Sequence, residues 1–290
     1  MSILINKNTK IIVQGITGTQ ASFHARRSME YGTNIVAGVT PGKSGLSHLG
    51  VPVFNTAVEA VKETGATASV MFVPAKAVVS ATKDAIAAGM ETLVCITDKV
   101  PIKDMMYVRE MLKDSKTRFI GPNTPGVITP GEARMGIFPE NIHQPGNIGV
   151  VSRSSTLTYE AVLEIKRAGL GQSTVVGLGD DMVVGSDFID IIDQFMKDDE
   201  TKAVVAIGTL GGRYEEKLAE YYSGLKEKKH IIGFVAGNNS AYRYNVGYAG
   251  DIITRGHITM QDKRDALSEA GILTINRINY LHEELKNIMK

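Results

Sequence analysis

The sequence predicts an α/β protein built as two open parallel sheets in succession, and three observations carry that expectation. Short apolar strands alternate with stretches of helical length, in one run over residues 10–120 and a second over residues 148–275. The strands end in turns of Gly, Pro, Thr or Asn. Thirty glycines accompany abundant Val, Ile and Ala, which suits buried strands joined to helices by tight turns. The expected division is a Rossmann-like domain over residues 1–123, a connection over 124–146, and a flavodoxin-like parallel-sheet domain over 147–290.

In the first run, Lys10-Ile11-Ile12-Val13-Gln14-Gly15 reads as a buried strand and is followed by Ile16-Thr17-Gly18-Thr19-Gln20. A helix over about 21–31 and a strand over 34–39 complete a βαβ unit, which is parallel and right-handed. Further strands are expected at 68–73, 92–96 and 118–120, with helices near 56–64, 76–88 and 103–114. Their ends carry Val73-Pro74, Ile96-Thr97-Asp98 and Gly121-Pro122-Asn123. Ligands of open parallel sheets sit beyond the carboxyl ends of the strands, so these turns line the expected pocket. The Pro/Gly-rich stretch that follows, to about residue 146, reads as irregular.

The second run predicts strands at 148–152, 174–178, 203–207, 231–236 and 273–275. Its helices are expected at 157–168, 187–197, 214–226 and 262–270. Gly149-Val150-Val151-Ser152 runs through Arg153-Ser154-Ser155-Thr156 into the first of these helices. Serine hydroxyls and unpaired backbone N–H groups at a helix N-terminus make an anion seat, here Ser154, Ser155 and Thr156. A plain helix cap is the alternative. Glu215 and Glu216 suit the start of the 214–226 helix and Lys226 its end, and all three are expected on a solvated face.

Composition excludes several classes. Thirty-two basic residues against 31 acidic ones give no pull toward nucleic acid or a membrane surface. Cys95 is the only cysteine, so no disulfide framework and no cysteine metal site is expected. The N-terminus lacks a signal-like apolar run and no segment approaches 18 consecutive apolar residues, which leads to a cytoplasmic expectation. Asp180 and Asp181 are expected to be solvated rather than metal-bound, and no metal site is expected. Most of the six histidines (His24, His48, His143, His230, His257 and His282) are also expected to be solvated.

The ligand of the first domain follows from what its first turn lacks. Gly15-Ile16-Thr17-Gly18 does not have the G-x-G-x-x-G spacing, and no acidic residue ends the second strand to hold a ribose 2′-hydroxyl. Lys43 stands just beyond it instead, in Thr40-Pro41-Gly42-Lys43, and favours a nucleotide with an extra phosphate on its ribose side. Thr17 and Thr19 add hydroxyl and N–H donors for a pyrophosphate at the helix start. Coenzyme A fits this pattern, NAD does not, and NADP stays open.

At these residues the sequence resembles the α subunits of succinyl-CoA synthetase, the ADP- or GDP-forming acid–CoA ligases, over nearly its whole length. The matching stretches include Met1-Ser2-Ile3-Leu4-Ile5, Val39-Thr40-Pro41-Gly42-Lys43, Leu49-Gly50-Val51-Pro52-Val53-Phe54-Asn55-Thr56, Pro125-Gly126-Val127-Ile128-Thr129-Pro130-Gly131-Glu132 and Leu157-Thr158-Tyr159-Glu160. The resemblance implies coenzyme A contacts at Thr17, Gly18, Thr19, Gln20, Lys43, Phe72, Val73, Pro74, Ile96, Thr97, Asp98 and Asn123, and a substrate contact at Tyr159. It also implies a small carboxylic acid substrate and a β-type partner subunit with an ATP-grasp nucleotide site. ATP or GTP with Mg is then bound through that partner only.

The family's chemistry runs through a phosphohistidine in a Gly-His-Ala-Gly turn, and here that turn is Gly247-Tyr248-Ala249-Gly250. A phosphotyrosine ester is a far poorer donor to a carboxylate than a phosphoramidate, so Tyr248 is not expected to be phosphorylated. Three further departures accompany it. The family's Ser-Arg-Ser-Gly-Thr is Ser152-Arg153-Ser154-Ser155-Thr156, a supporting glutamate is Thr209, and a Gly-Gly-Asp-Pro loop is Gly179-Asp180-Asp181-Met182. The expected function is a ligase subunit without the phosphohistidine relay. The alternatives are a non-catalytic coenzyme A-binding or regulatory subunit, and a different acyl-CoA reaction on the same scaffold.

Overall fold

In the computed structural model, residues 2–237 and 259–290 are described. The chain divides into two compact units that are interleaved in sequence. The first comprises Leu4–Glu140 with Val183–Ser186; the second takes the opening residues, Asn141–Met182 and Asp187–Lys290.

The first unit runs β1 (Ile11–Gln14), α1 (Thr19–Glu30), β2 (Ile35–Val39), β3 (Ser47–His48), β4 (Val51–Phe54), α2 (Ala57–Thr64), β5 (Ala68–Met71), α3 (Val78–Ala87), β6 (Thr92–Cys95), α4 (Ile102–Lys113) and β7 (Arg118–Ile120). The strands lie in the order β3-β4-β2-β1-β5-β6-β7. All pairs are parallel except the short edge hairpin β3–β4. Omitting β3, this is the doubly wound order in which the chain leaves β1 on one side and later resumes on the other, so a crevice opens between the ends of β1 and β5. The apolar faces close on a core that includes Ile12, Val39, Met71, Leu93, Val108 and Phe119. Four-residue strands this fully buried read as apolar runs rather than as alternation.

Residues expected to be irregular form a buried antiparallel hairpin in the first unit, β8 (Gly126–Thr129) with β9 (Ala133–Gly136). Its Pro and Gly content hid it, yet the glycines are what let the two strands meet. A Cβ on Gly126 would lie 2.1 Å from the Met135 carbonyl oxygen, and one on Gly136 2.3 Å from that of Pro125. Arg134 of β9 is buried and donates to the carbonyl of Phe138 and to Ser28 of α1, so a cation anchors the hairpin.

The second unit runs β10 (Pro145–Ser152), α5 (Ser155–Arg167), β11 (Gln172–Gly177), α6 (Phe188–Lys197), β12 (Ala203–Gly208), α7 (Tyr214–Ser223), β13 (His230–Val235), α8 (Met260–Glu269), β14 (Leu273–Thr274) and α9 (Leu281–Ile288). These strands are ordered β14-β13-β12-β10-β11 and are all parallel. This is the flavodoxin-like order, with its switch point at the end of β10. α6 and α8 each begin in a reciprocal capping box, Asp187 with Asp190 and Thr259 with Asp262.

Candidate functional site

In the first unit, the loop after β1 turns sharply at Gly15, whose φ of 84° favours glycine. A Cβ there would come within 3.1 Å of the Phe72 carbonyl oxygen, so the loops after β1 and β5 nearly touch. Helix α1 then starts two residues earlier than expected, at Thr19, with Gly18 as an extended cap and no side-chain cap hydrogen bond. Thr17 and Thr19 therefore do not act as caps. Gly18, Thr19 and Gln20 are exposed, which leaves the positive end of the α1 dipole open to solvent.

The Lys43 turn comes to the same place. Thr17 Oγ1 lies 3.2 Å from Lys43 Nζ and 3.3 Å from Thr40 Oγ1. The N–H groups of Gly42 and Ser44 both donate to Asn55 Oδ1, and the Thr40 N–H donates to the Phe54 carbonyl. A sequence gap of 26 residues thus closes into one exposed cation beside one helix N-terminus.

The remaining turns of this unit follow the strand ends. Thr97 Oγ1 donates to the Val73 carbonyl at 2.6 Å, and the Asn123 N–H donates to the Thr97 carbonyl at 2.9 Å. These contacts bring Phe72, Val73, Ile96, Thr97 and Asn123 into one half-buried row, with Pro74 and Asp98 exposed beside it. His24 stacks on Phe72 with ring centroids 5.8 Å apart.

The second unit gathers its loops around Arg153, a residue that is 1% exposed. Nη1 donates to Thr209 Oγ1 at 3.3 Å and to the Gly211 carbonyl at 2.8 Å, and Nη2 donates to the Asp181 carbonyl at 3.1 Å. The guanidinium also lies over the Tyr214 ring, 4.2 Å from its centroid. One cation thereby ties together the loops after β10, β11 and β12.

Beneath it sits a charge cluster that the sequence reading missed. Lys263 of α8 is fully buried and donates to Glu215 at 2.5 Å, to Glu216 at 3.1 Å and to the Gly212 carbonyl at 2.8 Å. The other oxygen of Glu215 accepts from the Thr209 N–H. Burial pushes the Glu215 carboxyl above its usual range, while Lys263 and then Arg153 pull against it. The two glutamates are therefore not on a solvated face. They are bound by a lysine 47 and 48 residues away, a partner that periodicity along one helix does not reveal.

At the start of α5, the cap reading holds for Ser154. Its hydroxyl accepts from the Leu157 N–H, and its carbonyl receives Thr158 Oγ1 and Ser152 Oγ. Ser155 is half-buried and Thr156 exposed at the first helical positions, and Tyr159 lies half-buried one turn on. Asp180 and Asp181 are half-buried rather than solvated. Tyr248 and His257 lie outside the described residues.

Of the other histidines, only His230 is exposed as expected. His24 is stacked, His48 contacts Ser22 at 2.7 Å, His143 is buried, and His282 meets Glu164 at 2.5 Å. Among the described residues, no group of three or more His, Cys, Asp or Glu side chains could hold a metal ion, and no helix is long and apolar enough to cross a membrane.

Comparison with known proteins gives concordant matches. A CoA binding domain model matches residues 6–99, and a CoA-ligase model matches residues 151–273. The succinate–CoA ligase [ADP-forming] subunit alpha of Aquifex aeolicus is 49% identical over 292 residues, covering 100% of this chain and 95% of that one. The protein of the same name from Staphylococcus aureus strain N315 is 49% identical over 274 residues, covering 94% and 90%. Among solved structures, ATP citrate lyase from Methanothrix soehngenii, in complex with citrate and coenzyme A, superposes with a TM-score of 0.87 at 24% identity. That match covers 99% of this chain and half of the lyase chain. The dinucleotide forming acetyl-coenzyme A synthetase 1 of Ca. Korarchaeum cryptofilum gives 0.74 at 20%, covering 96% and 60%. These two likenesses speak for the fold alone.

Proposed function

The chain belongs to the family of succinate–CoA ligase α subunits, and on that premise we propose that it is the coenzyme A-binding subunit of an NDP-forming acid–CoA ligase that works without the phosphohistidine relay. It acts with a β-type partner carrying an ATP-grasp nucleotide site, where ATP or GTP binds with Mg. The substrate class is a small carboxylic acid; the relatives' name specifies succinate.

The donor set of the first unit suits coenzyme A. Exposed N–H groups at the start of α1, with Thr17 and Lys43, offer hydrogen bonds and positive charge to phosphates. The row from Phe72 to Asn123 would hold the rest of the molecule, and Tyr159 of the second unit would meet the acid. Bound coenzyme A supplies the thiol that takes up the acyl group.

The observation that carries the loss of the relay is the contact between Arg153 and Thr209. At the end of β12, where the family pattern expects a carboxylate, a neutral hydroxyl faces a buried guanidinium. A phosphorylated or protonated imidazole would find cations here but no carboxylate from position 209 to orient it. The sequence adds Tyr248 at the position of the histidine itself. The acid then takes the phosphoryl group from the nucleotide at the partner's site, the nucleoside diphosphate leaves, and phosphate departs when the thioester forms.

The test is to incubate the purified complex with γ-labelled ATP, coenzyme A and a panel of small acids. Acyl-CoA and ADP are expected without acid-labile phosphate on this chain, and acid-labile phosphoprotein would overturn the proposal. Coenzyme A binding with no acyl-CoA from any acid would favour a non-catalytic subunit instead. Tyr248→His is expected to leave the chain unphosphorylated, because Ser155, Thr209 and Asp180 are unchanged.

A further inference from the structure

Resting on the reading that coenzyme A binds at the start of α1, we infer that His48 is a positioning residue. It holds the Lys43 turn against α1 and so sets how strongly the site favours coenzyme A over its 3′-dephospho form.

The hydrogen-bond directions settle what His48 does. Ser22 lies in the first turn of α1, its N–H donating to the Gly18 carbonyl at 2.8 Å. Its one hydroxyl proton is committed to the Ile16 carbonyl, also at 2.8 Å. The 2.7 Å contact between Ser22 Oγ and His48 Nε2 therefore has the ring N–H as donor and the serine as acceptor. Both the neutral Nε2–H tautomer and the imidazolium can make it.

The consequence falls on Lys43. Main-chain bonds to Phe54 and Val53, and the Asn55 side-chain oxygen accepting from the Gly42 and Ser44 N–H groups, fasten its turn on the β4 side. Three side-chain contacts bridge the turn to the other wall of the pocket: Thr17 to Thr40, Lys43 to Thr17, and His48 to Ser22. The His48 contact is the shortest of the three and comes from a half-buried ring with two torsions, whereas Lys43 is exposed on a flexible four-carbon stem. Where the ammonium can reach is therefore governed by where the turn is held. Lys43 is the group that would meet the extra ribose phosphate.

Titration calorimetry with coenzyme A and with 3′-dephospho-coenzyme A, on the full chain, tests this. His48→Ala is expected to weaken coenzyme A about tenfold, the scale of one hydrogen bond serving a charged contact, and to leave the dephospho ligand unchanged. His48→Gln keeps an N–H in reach of Ser22 and should recover most of the loss. On a Lys43→Ala background, His48→Ala should cost nothing further. Equal weakening of both ligands, additive losses in the double variant, or no change at all would overturn the inference. Failure of the parent chain to bind either ligand would instead overturn the coenzyme A reading beneath it.

Discussion

The two units place equivalent loops at equivalent points of their sheets and use them in opposite ways. After β1, the helix start is capped by a glycine without a side-chain bond and left exposed, beside an exposed lysine. After β10, the helix start is capped by its own serine, and the charges nearby are buried and bound to one another. The first arrangement withholds hydrogen-bond donors from the protein and offers them to a ligand. The second commits its donors internally, so its polar groups serve geometry, and ligand chemistry there depends on what other segments bring.

Breaking the internal commitment should have the largest effect. Lys263→Ala strands two buried carboxylates and is expected to destabilise the chain by about 3–5 kcal/mol in urea unfolding. Replacing Lys263, Glu215 and Glu216 together by Met, Gln and Gln should cost less than that single change. If instead the losses simply add up, the cluster is not a mutually compensating unit. Arg153→Met comes next, at roughly 2–3 kcal/mol, because the carbonyls of Gly211 and Asp181 lose their charged donor. Equal stability of variant and parent would show that water replaces the guanidinium.

Lys43→Ala probes the open side. Coenzyme A affinity should fall by about 1.5–3 kcal/mol, the range of hydrogen bonds to charged groups, with the melting temperature unmoved. A lowered melting temperature would make Lys43 structural and blur the contrast between the two loops.

The smallest effect concerns His24. Burial first, and the Arg134 guanidinium second, hold its imidazole below the usual value. The unfolded chain then binds this proton more tightly than the folded one. The associated stability is complete above a pH of about 6.5 and is lost as the pH falls through that value toward the folded-state pKa. His24→Gln should flatten the decline in melting temperature on the acid side of neutrality. An unchanged slope would assign that decline to other groups.

The parallel strands at the centre of both sheets follow the alternation that the sequence displays, because buried parallel strands and their Gly-rich ends are local signals. The edge strands β3 and β4, by contrast, formed where no strand was expected. The meeting of Lys43 with Thr17 was legible too, since a βαβ unit brings the ends of its two strands together. The buried role of Glu215 and Glu216 was not. Two acids at a helix N-terminus look the same whether water or a distant lysine answers them, and only the packing of α8 on α7 distinguishes the cases. The β8–β9 hairpin was hidden for a related reason: its glycines serve the close approach of two strands, and in sequence they resemble the glycines of a loop.

The return of Val183–Ser186 to the first unit has a consequence for how the chain can be divided. The Gly185 N–H donates to the Gly121 carbonyl, and Arg109 donates to the Val184 carbonyl at 2.8 Å. A fragment ending at Glu140 would expose those groups and the face of Phe119 on which Gly185 sits. During synthesis the first unit therefore remains unfinished until the ribosome has passed residue 186, well into the second. Neither unit is a cassette that a single cut can release, so recombination between relatives is constrained to exchange the four-residue return together with the body it completes.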